Sequence, residues 1–303
     1  MTNKSDPNYS RELSKVRNWL TLDDPVSIAT HINVDADAAF SMALLKALRP
    51  KAATIFVRAD EIIDDKRTLA VDLSNGKQAV KGLECGSAFG LIVNAMKSID
   101  RPVYDCLKGW AKQLNLTDSG NYCRDNVILA DHVSSWKAMG LDDDGIVHRA
   151  FELIKGKILA EKRYIEMKNI AKQIEIKDGI AIVPDDVKIK AAHLFGLGAD
   201  VVIRQSEFGQ SAILSKNALK KGISLSELGP IFSDGWFVHP QGFMLSFGSV
   251  KAPKDYRESG FTINQFTKII RTWMKSHKQS SAKNRSSSSK KAIENHSRNG
   301  VNA

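Results

Sequence analysis

The sequence predicts an α/β fold: a parallel sheet with flanking helices, joined to a smaller α+β C-terminal unit. Three observations predict it. Short β-rich runs alternate with helical stretches through the first half of the chain. These runs are almost continuously apolar, the composition of strands covered on both faces by helices. After a long amphipathic stretch the composition changes to closely spaced short strands with few helices between them.

Residues 1–20 read as a polar lead with a short helix ending near Leu20. Val26 to Thr30 (VSIAT) is a buried strand, and Ala38 to Leu48 is an apolar helix closed by Pro50. Ala52 to Arg58 is a second strand. Leu69 to Leu73 is a third, stopped by the turn signal Ser74-Asn75-Gly76, and Ser87 to Lys97 is the helix behind it. Arg101 to Leu116 and Val127 to Ala138 are helical. From Gly145 to Lys177 the residues Ile146, Ala150, Leu153, Ile154, Ile158 and Ile165 repeat at helical spacing. Strands follow at Ile180–Val183, Val201–Arg204, Ser211–Leu214, Trp236–His239 and Phe243–Phe247, then a helix from Thr262 to Met274. The expected organisation is a lead over 1–20, an α/β domain over 21–145, a connecting helix over 146–178, a smaller domain over 179–274 and a tail over 275–303.

Composition narrows the function classes. In 303 residues, 43% hydrophobic and 26% charged, there is material for a real core, which excludes global disorder and a disulfide-stapled miniprotein. The net charge of +10 is uneven. Residues 275–303 hold seven basic residues and one acid, with the run Ser286–Ser289, and carry +6 of it. Such a segment buries too little to offset its ordering entropy, so a disordered tail is expected, one that meets polyanions or only aids solubility. Cys85, Cys106 and Cys123 form no CxxC pair, which suggests a reducing compartment and thiols used as small core residues. Without an apolar run near ~20 residues or a leader-like N-terminus, a cytoplasmic protein with no membrane partner is expected.

The chemistry concentrates in Thr30-His31-Ile32-Asn33-Val34-Asp35-Ala36-Asp37-Ala38, between the first strand and the helix after it. The carboxyl ends of strands are where open α/β sheets bind ligands. One imidazole and two carboxylates crowded there call for a neutralising cation, and mixed nitrogen and oxygen donors suit Mn²⁺. Asp72 ends the third strand, and Asp131-His132 follows another apolar run. Two His and four Asp suffice for a two-metal hydrolytic site.

THINVDADA resembles motif I of the DHH phosphoesterase superfamily, which includes exonucleases, oligoribonucleases, cyclic-dinucleotide phosphodiesterases and family II pyrophosphatases. The resemblance implies that His31 and Asp35 bind one Mn²⁺, Asp37 the other, that Asp72 bridges them and that Asp131 completes one site. Mg²⁺ is the alternative ion. Ser87 to Leu91 resembles the helix start after motif III. The order of the long helix, Gly198-Ala199-Asp200-Val201-Val202-Ile203 and Gly235-Trp236-Phe237-Val238-His239-Pro240-Gln241-Gly242-Phe243 is similar to DHH-like nucleases of the melanocyte-proliferating-gene family. In all, the resemblance spans about residues 26 to 274.

The sequence departs from that family where the DHH triplet itself should stand. Between Asp72 and Ser87 it has Lys77-Gln78-Ala79-Val80-Lys81-Gly82, with no Asp and no His. His132 could substitute as a ligand, one ion could be held weakly, or catalysis could have been lost. Lys77 or Lys81 could take a metal's electrostatic place or bind phosphate directly. Asn33, Arg204, His239 and Lys251 are further candidates for contacting substrate. Trp236, Phe237, Phe243 and Phe247 fit a base-stacking platform or, more simply, the packing of a small sheet. The expected function is two-metal hydrolysis of phosphodiesters in nucleic acid or short oligonucleotides. The alternative is an impaired relative that binds nucleic acid or a nucleotide without cleaving it.

Overall fold

A parallel sheet flanked by helices lies in the first of two units, Met1–Tyr164; the second is Ile165–Ala303. The structure is a computed structural model and describes residues 7–123, 127–232 and 234–277. Most of the expected basic tail lies outside the described residues.

In the first unit, strands β1 (Ser27–His31), β2 (Ala53–Val57), β3 (Thr68–Val71) and β4 (Ala79–Val80) form a sheet of order β2-β1-β3-β4. All three pairings are parallel. β3 is buried throughout and β1 at its three central residues, which is why both read as near-continuous apolar runs. The strand order reverses between β1 and β3, and a crevice at the carboxyl ends of the strands is expected there. The helices are α1 (Pro7–Leu20), α2 (Ala36–Leu48), α3 (Ala88–Ile99), α4 (Arg101–Asp118), α5 (Ile128–Ala138) and α6 (Asp143–Ala171). Phe40 of α2 meets Phe89 of α3 edge-on at 6.2 Å and Trp110 of α4 at 5.8 Å. Trp19 ties α1 to the sheet by donating its indole N–H to the carbonyls of Ser27 and Arg67, both at 3.1 Å. Of the three cysteines, Cys106 is buried and Cys85 half-buried. Cys123 is exposed, against the expectation that all three serve as core residues.

The second unit is built on a mixed sheet of order β5-β6-β7-β8-β10-β9. Its strands are β5 (Ile176–Lys177), β6 (Ile180–Val183), β7 (Val201–Ser206), β8 (Gly209–Leu214), β9 (Phe237–Val238) and β10 (Met244–Phe247). Only β6 and β7 run parallel. Short helices α7 (Ala191–Phe195) and α8 (Lys216–Lys220) and a final helix α9 over 263–277 complete it. Ile203, Leu214, Leu245, Phe266 and Ile270 pack its core. Trp236 joins that packing, 4.5 Å from Phe232 and 5.2 Å from Phe266, and donates its indole N–H to Ser259 O at 3.2 Å. Phe247 is buried and Phe237 exposed, so these aromatic residues do not form one platform.

Two differences from the expected elements have simple causes. Helix α6 ends at Ala171 rather than continuing to Lys177, because Asp178-Gly179 takes positive φ at both positions and folds 176–177 back onto 180–181. An Asp-Gly pair of this kind is a strong hairpin signal and here overrides a weak helical repeat. β4 is too short to show a period in sequence. At Gly209, between β7 and β8, φ is 135° and an added Cβ would lie 1.9 Å from Phe247 O, so only glycine fits. No helix among the described residues is long and apolar enough to cross a membrane.

Ser87 starts α3. Its hydroxyl accepts from Gly90 N at 2.9 Å and donates to Asn115 Oδ1 at 2.6 Å. Ser87→Ala should therefore lower stability by about 1–2 kcal/mol, read as an earlier denaturant midpoint of the first unit.

Candidate metal and phosphate site

Strand register assembles the site. Ala29 of β1 pairs with Ala70 of β3, so two residues further on His31 and Asp72 emerge side by side. Val71 of β3 pairs with Val80 of β4, so Lys81 emerges on the other side of Asp72. His31 Nε2 lies 3.1 Å from Asp72 Oδ2, and Lys81 Nζ contacts Asp72 Oδ1. Only 1% of the Asp72 side chain is exposed, so these two partners take the place of water around this carboxylate. Its φ of 54° turns the chain out of β3 in the left-handed region, which Asp and Asn tolerate better than other side-chain residues.

Asp35 is the N-cap of α2, where one carboxylate oxygen accepts from Ala38 N at 3.0 Å. The other lies 3.9 Å from His31 Nε2. One ligand atom from each of His31, Asp35 and Asp72 lies within 4.8 Å of the others, the one such group of three among the described residues. An imidazole and two carboxylates in this arrangement fit one divalent cation.

His31 Nδ1 lies 3.0 Å from Ile32 O, while Nε2 faces the Asp72 carboxylate. Both nitrogens thus face acceptors, the arrangement of an imidazolium. The bond to Asp72 pushes the pKa of His31 up to about 9, against the opposing effect of burial. A cation taking Nε2 must displace that proton, while the contact between Nδ1 and Ile32 O keeps the ring aimed.

Asp37 does not join this group. It is 2% exposed and points into the start of α3, where it accepts from Ala88 N at 2.7 Å and Phe89 N at 2.8 Å. Burial and the charge of Asp72 push its carboxyl well above the usual range, while the two amides pull the other way. Asp131 and His132 are also elsewhere. They are exposed on α5, whose Leu129 and Val133 face the core, and the His132 ring stacks on Trp136 at 5.7 Å. Lys77 is exposed before β4, at the opposite end of that strand from Lys81, and its main-chain N donates to Asp64.

Asn33 has a positional role. Its N–H and that of Val34 donate to Asp143 at 2.7 and 2.8 Å, and its side-chain oxygen accepts from Lys137 at 2.8 Å. In the second unit, Arg204 donates to Ile189 O, and its burial lowers its pKa. His239 Nδ1 accepts from Gln241 N at 3.2 Å, and its ring lies 4.0 Å from that of Phe243. Lys251 is exposed in the turn closed by Ser249 and Ala252.

Sequence reasoning missed several contributors. Asp118, at the end of α4, is pushed up by burial and then by the charges of Asp72 and Asp35, so it adds a third acid to their field. Glu12 of α1 accepts from Lys81 N at 2.8 Å and Gly82 N at 3.1 Å, and Lys15 donates to Ala79 O at 2.7 Å. The acids Glu12 and Asp143 each hold a loop through paired backbone amides, and neither carries a motif.

Neither a family model nor a curated protein matches the chain. Solved structures similar to it include a pGpG-specific phosphodiesterase, PggH, from Vibrio cholerae, at 10% identity and a TM-score of 0.34, covering 84% of this chain and 100% of that one. A RecJ in complex with Mn²⁺ from Thermus thermophilus is 11% identical with a TM-score of 0.30. That match covers 81% of this chain, which spans 52% of the RecJ chain. A DHH domain described as a member of a family of ribosomal proteins is 10% identical with a TM-score of 0.28, covering 89% of this chain and 90% of that one. Likeness at this level carries no inference about activity. Motif order is the firmer ground: with motif I at the end of β1 and Asp72 at the end of β3, the chain resembles the DHH phosphoesterases.

Two predictions separate the roles. Asp35→Asn keeps an N-cap acceptor and should change stability by under about 0.5 kcal/mol, whereas Asp37→Ala strands two buried amides and should cost about 2–3 kcal/mol; urea melts of both variants decide. Because the folded His31 pKa is raised, its pairing stabilises the metal-free protein fully below pH 6.5 and is lost as pH rises through about 9. Thermal melts across that window should show the decline, and His31→Gln should flatten it.

Proposed function

We propose that this chain is a divalent-cation-dependent phosphoesterase acting on phosphodiester bonds of nucleic acid or short oligonucleotides. The convergence of His31, Asp35 and Asp72 at the strand-order reversal of a parallel sheet carries the reading. The resemblance of residues 30–38 to motif I gives it its chemical class.

The three residues would hold the cation, Mn²⁺ or Mg²⁺, which supplies an acidified water and polarises phosphoryl oxygen. The chain's own residues do the rest. Asp143 fixes the 33–34 backbone between His31 and Asp35, so both donors keep their spacing. Lys81 places a positive charge beside the buried carboxylate, where a phosphoryl oxygen's negative charge is favoured. In the reaction water adds to phosphorus, the bond to the leaving ester oxygen breaks, and that oxygen takes up a proton. Held by Asp143 through its main-chain N–H and by Lys137 through its side-chain oxygen, Asn33 orders the loop.

A second reading is favoured by Asp37. The resemblance makes it a metal ligand, yet its oxygens are taken by α3 amides. A protein that binds phosphate esters without cleaving them would tolerate that loss.

The test uses metal-stripped full-length protein with Mn²⁺ added back, assayed on pGpG and on end-labelled single-stranded RNA and DNA. Cleavage is expected, and Asp35→Asn and Asp72→Asn should each reduce it by about 100-fold or more, equal to about 2.7 kcal/mol of barrier. Binding without cleavage would establish the second reading. Cleavage that survives both substitutions would remove the site from the reaction.

A further inference from the structure

We propose that Lys81 stands in for the second divalent cation, so that this site works with one metal ion and one ammonium. The inference rests on the reading of His31, Asp35 and Asp72 as a cation site and specifies how many cations that site takes.

The donors present do not fit two ions. A bridging carboxylate offers one oxygen to each of two cations. Asp72 has that geometry, with Oδ2 toward His31 and Asp35 and Oδ1 in contact with the Lys81 ammonium. The resemblance assigns Asp37 to the second ion, but each of its oxygens already accepts from an α3 amide and the side chain is not part of the His31, Asp35 and Asp72 group. The segment 77–82, where a further histidine would stand, contains neither imidazole nor carboxylate.

Lys81 is held in this position by packed backbone. The β3–β4 register sets its Cα next to that of Asp72, and Asp72 N donates to Val80 O at 2.9 Å. Glu12 grips the amides of Lys81 and Gly82, and Lys15 grips the carbonyl of Ala79. Gly82 has φ of 70°, and an added Cβ would lie 2.0 Å from Ser87 O, so the turn carrying Lys81 is wedged against the start of α3. The side chain itself is 31% exposed, which leaves its ammonium open on one side.

The charges agree. Asp118 adds to the acidic field of Asp35 and Asp72, and Lys81 lies against Asp72 within it. A second divalent ion would face the ammonium as well as the first ion across one carboxylate. An ammonium also has three N–H donors. One serves Asp72, and the others are available to phosphoryl oxygens. What an ammonium does not do is acidify a bound water, so water activation stays with the His31 side of the site.

Mn²⁺ binding to chelator-treated full-length protein tests this, measured by calorimetry and elemental analysis and by electron paramagnetic resonance. The expected result is one Mn²⁺ per chain with the six-line signal of an isolated ion, lost in Asp35→Asn. Two ions per chain with a spin-coupled signal would overturn the role of Lys81 while leaving the cation site standing. No binding, or binding untouched by Asp35→Asn, would overturn the site and this inference together. Lys81→Met removes the like charge and should tighten the single ion by about tenfold; unchanged or weaker affinity would count against the inference. Should that variant fail to fold, the stoichiometry of the unsubstituted protein decides alone.

Discussion

The arrangement at the sheet edge depends on one buried carboxylate. With its side chain 1% exposed, Asp72 loses the hydration that would sustain its charge in solution, and a lone ionised carboxylate there is costly. Its surroundings supply a positive partner for each oxygen, His31 from β1 and Lys81 from the end of β4. Both partners arrive by strand register rather than by loop placement. The neighbouring features follow from that need. Asp72 turns out of β3 in a left-handed conformation, Glu12 of α1 fixes the backbone that carries Lys81, and Asp143 of α6 fixes the loop that carries Asp35.

The two aspartates of motif I show how helix geometry divides similar side chains. Asp35 sits at the N-cap, outside the first turn, where its side chain can cap Ala38 with one oxygen and face His31 with the other. Asp37 lies inside the first turn of α2, and that face is buried against α3. Its natural partners are therefore the unpaired amides at the start of α3, which favour an acceptor and a negative charge. A spacing of two residues at a helix start thus sends one carboxylate toward His31 and the other toward α3.

What was legible in the sequence follows the range of the interactions involved. Strands β1 and β3 and helices α2 and α3 were readable from composition, and with them the positions of His31, Asp35 and Asp72 at strand ends. Lys81 could be named only as a candidate, because its position depends on β4, a strand of two residues with no readable period. Asp118, Glu12 and Asp143 carried no signal, since each acts through tertiary placement, Asp118 and Asp143 at helix ends and Glu12 within α1. Asp131-His132 looked like a ligand pair because it follows an apolar run. That run belongs to α5, whose Leu129 and Val133 take the core face and leave the pair in solvent. In the second unit five of the six strands were legible, all but β5. The end of α6 was not, because a turn of Asp178 and Gly179 outweighs helical spacing that had already weakened.

An ammonium and a divalent cation are unequal substitutes, and the difference shapes the chemistry open to this site. Lys81 is covalently part of the chain, carries a single charge and does not exchange with solvent. The other side of Asp72 is exchangeable: in the metal-free state it faces a protonated His31, and a bound ion would displace that proton. On the proposed reading, His31 would give up its proton to a bound ion, and Asp72 Oδ2 would face that ion in place of the imidazolium. Oδ1 stays on Lys81 throughout. A buried carboxylate held in this way has a partner for each oxygen without a metal ion. This separates the fold's stability from the ion's presence, and it confines the exchangeable chemistry to the face shared by His31 and Asp35.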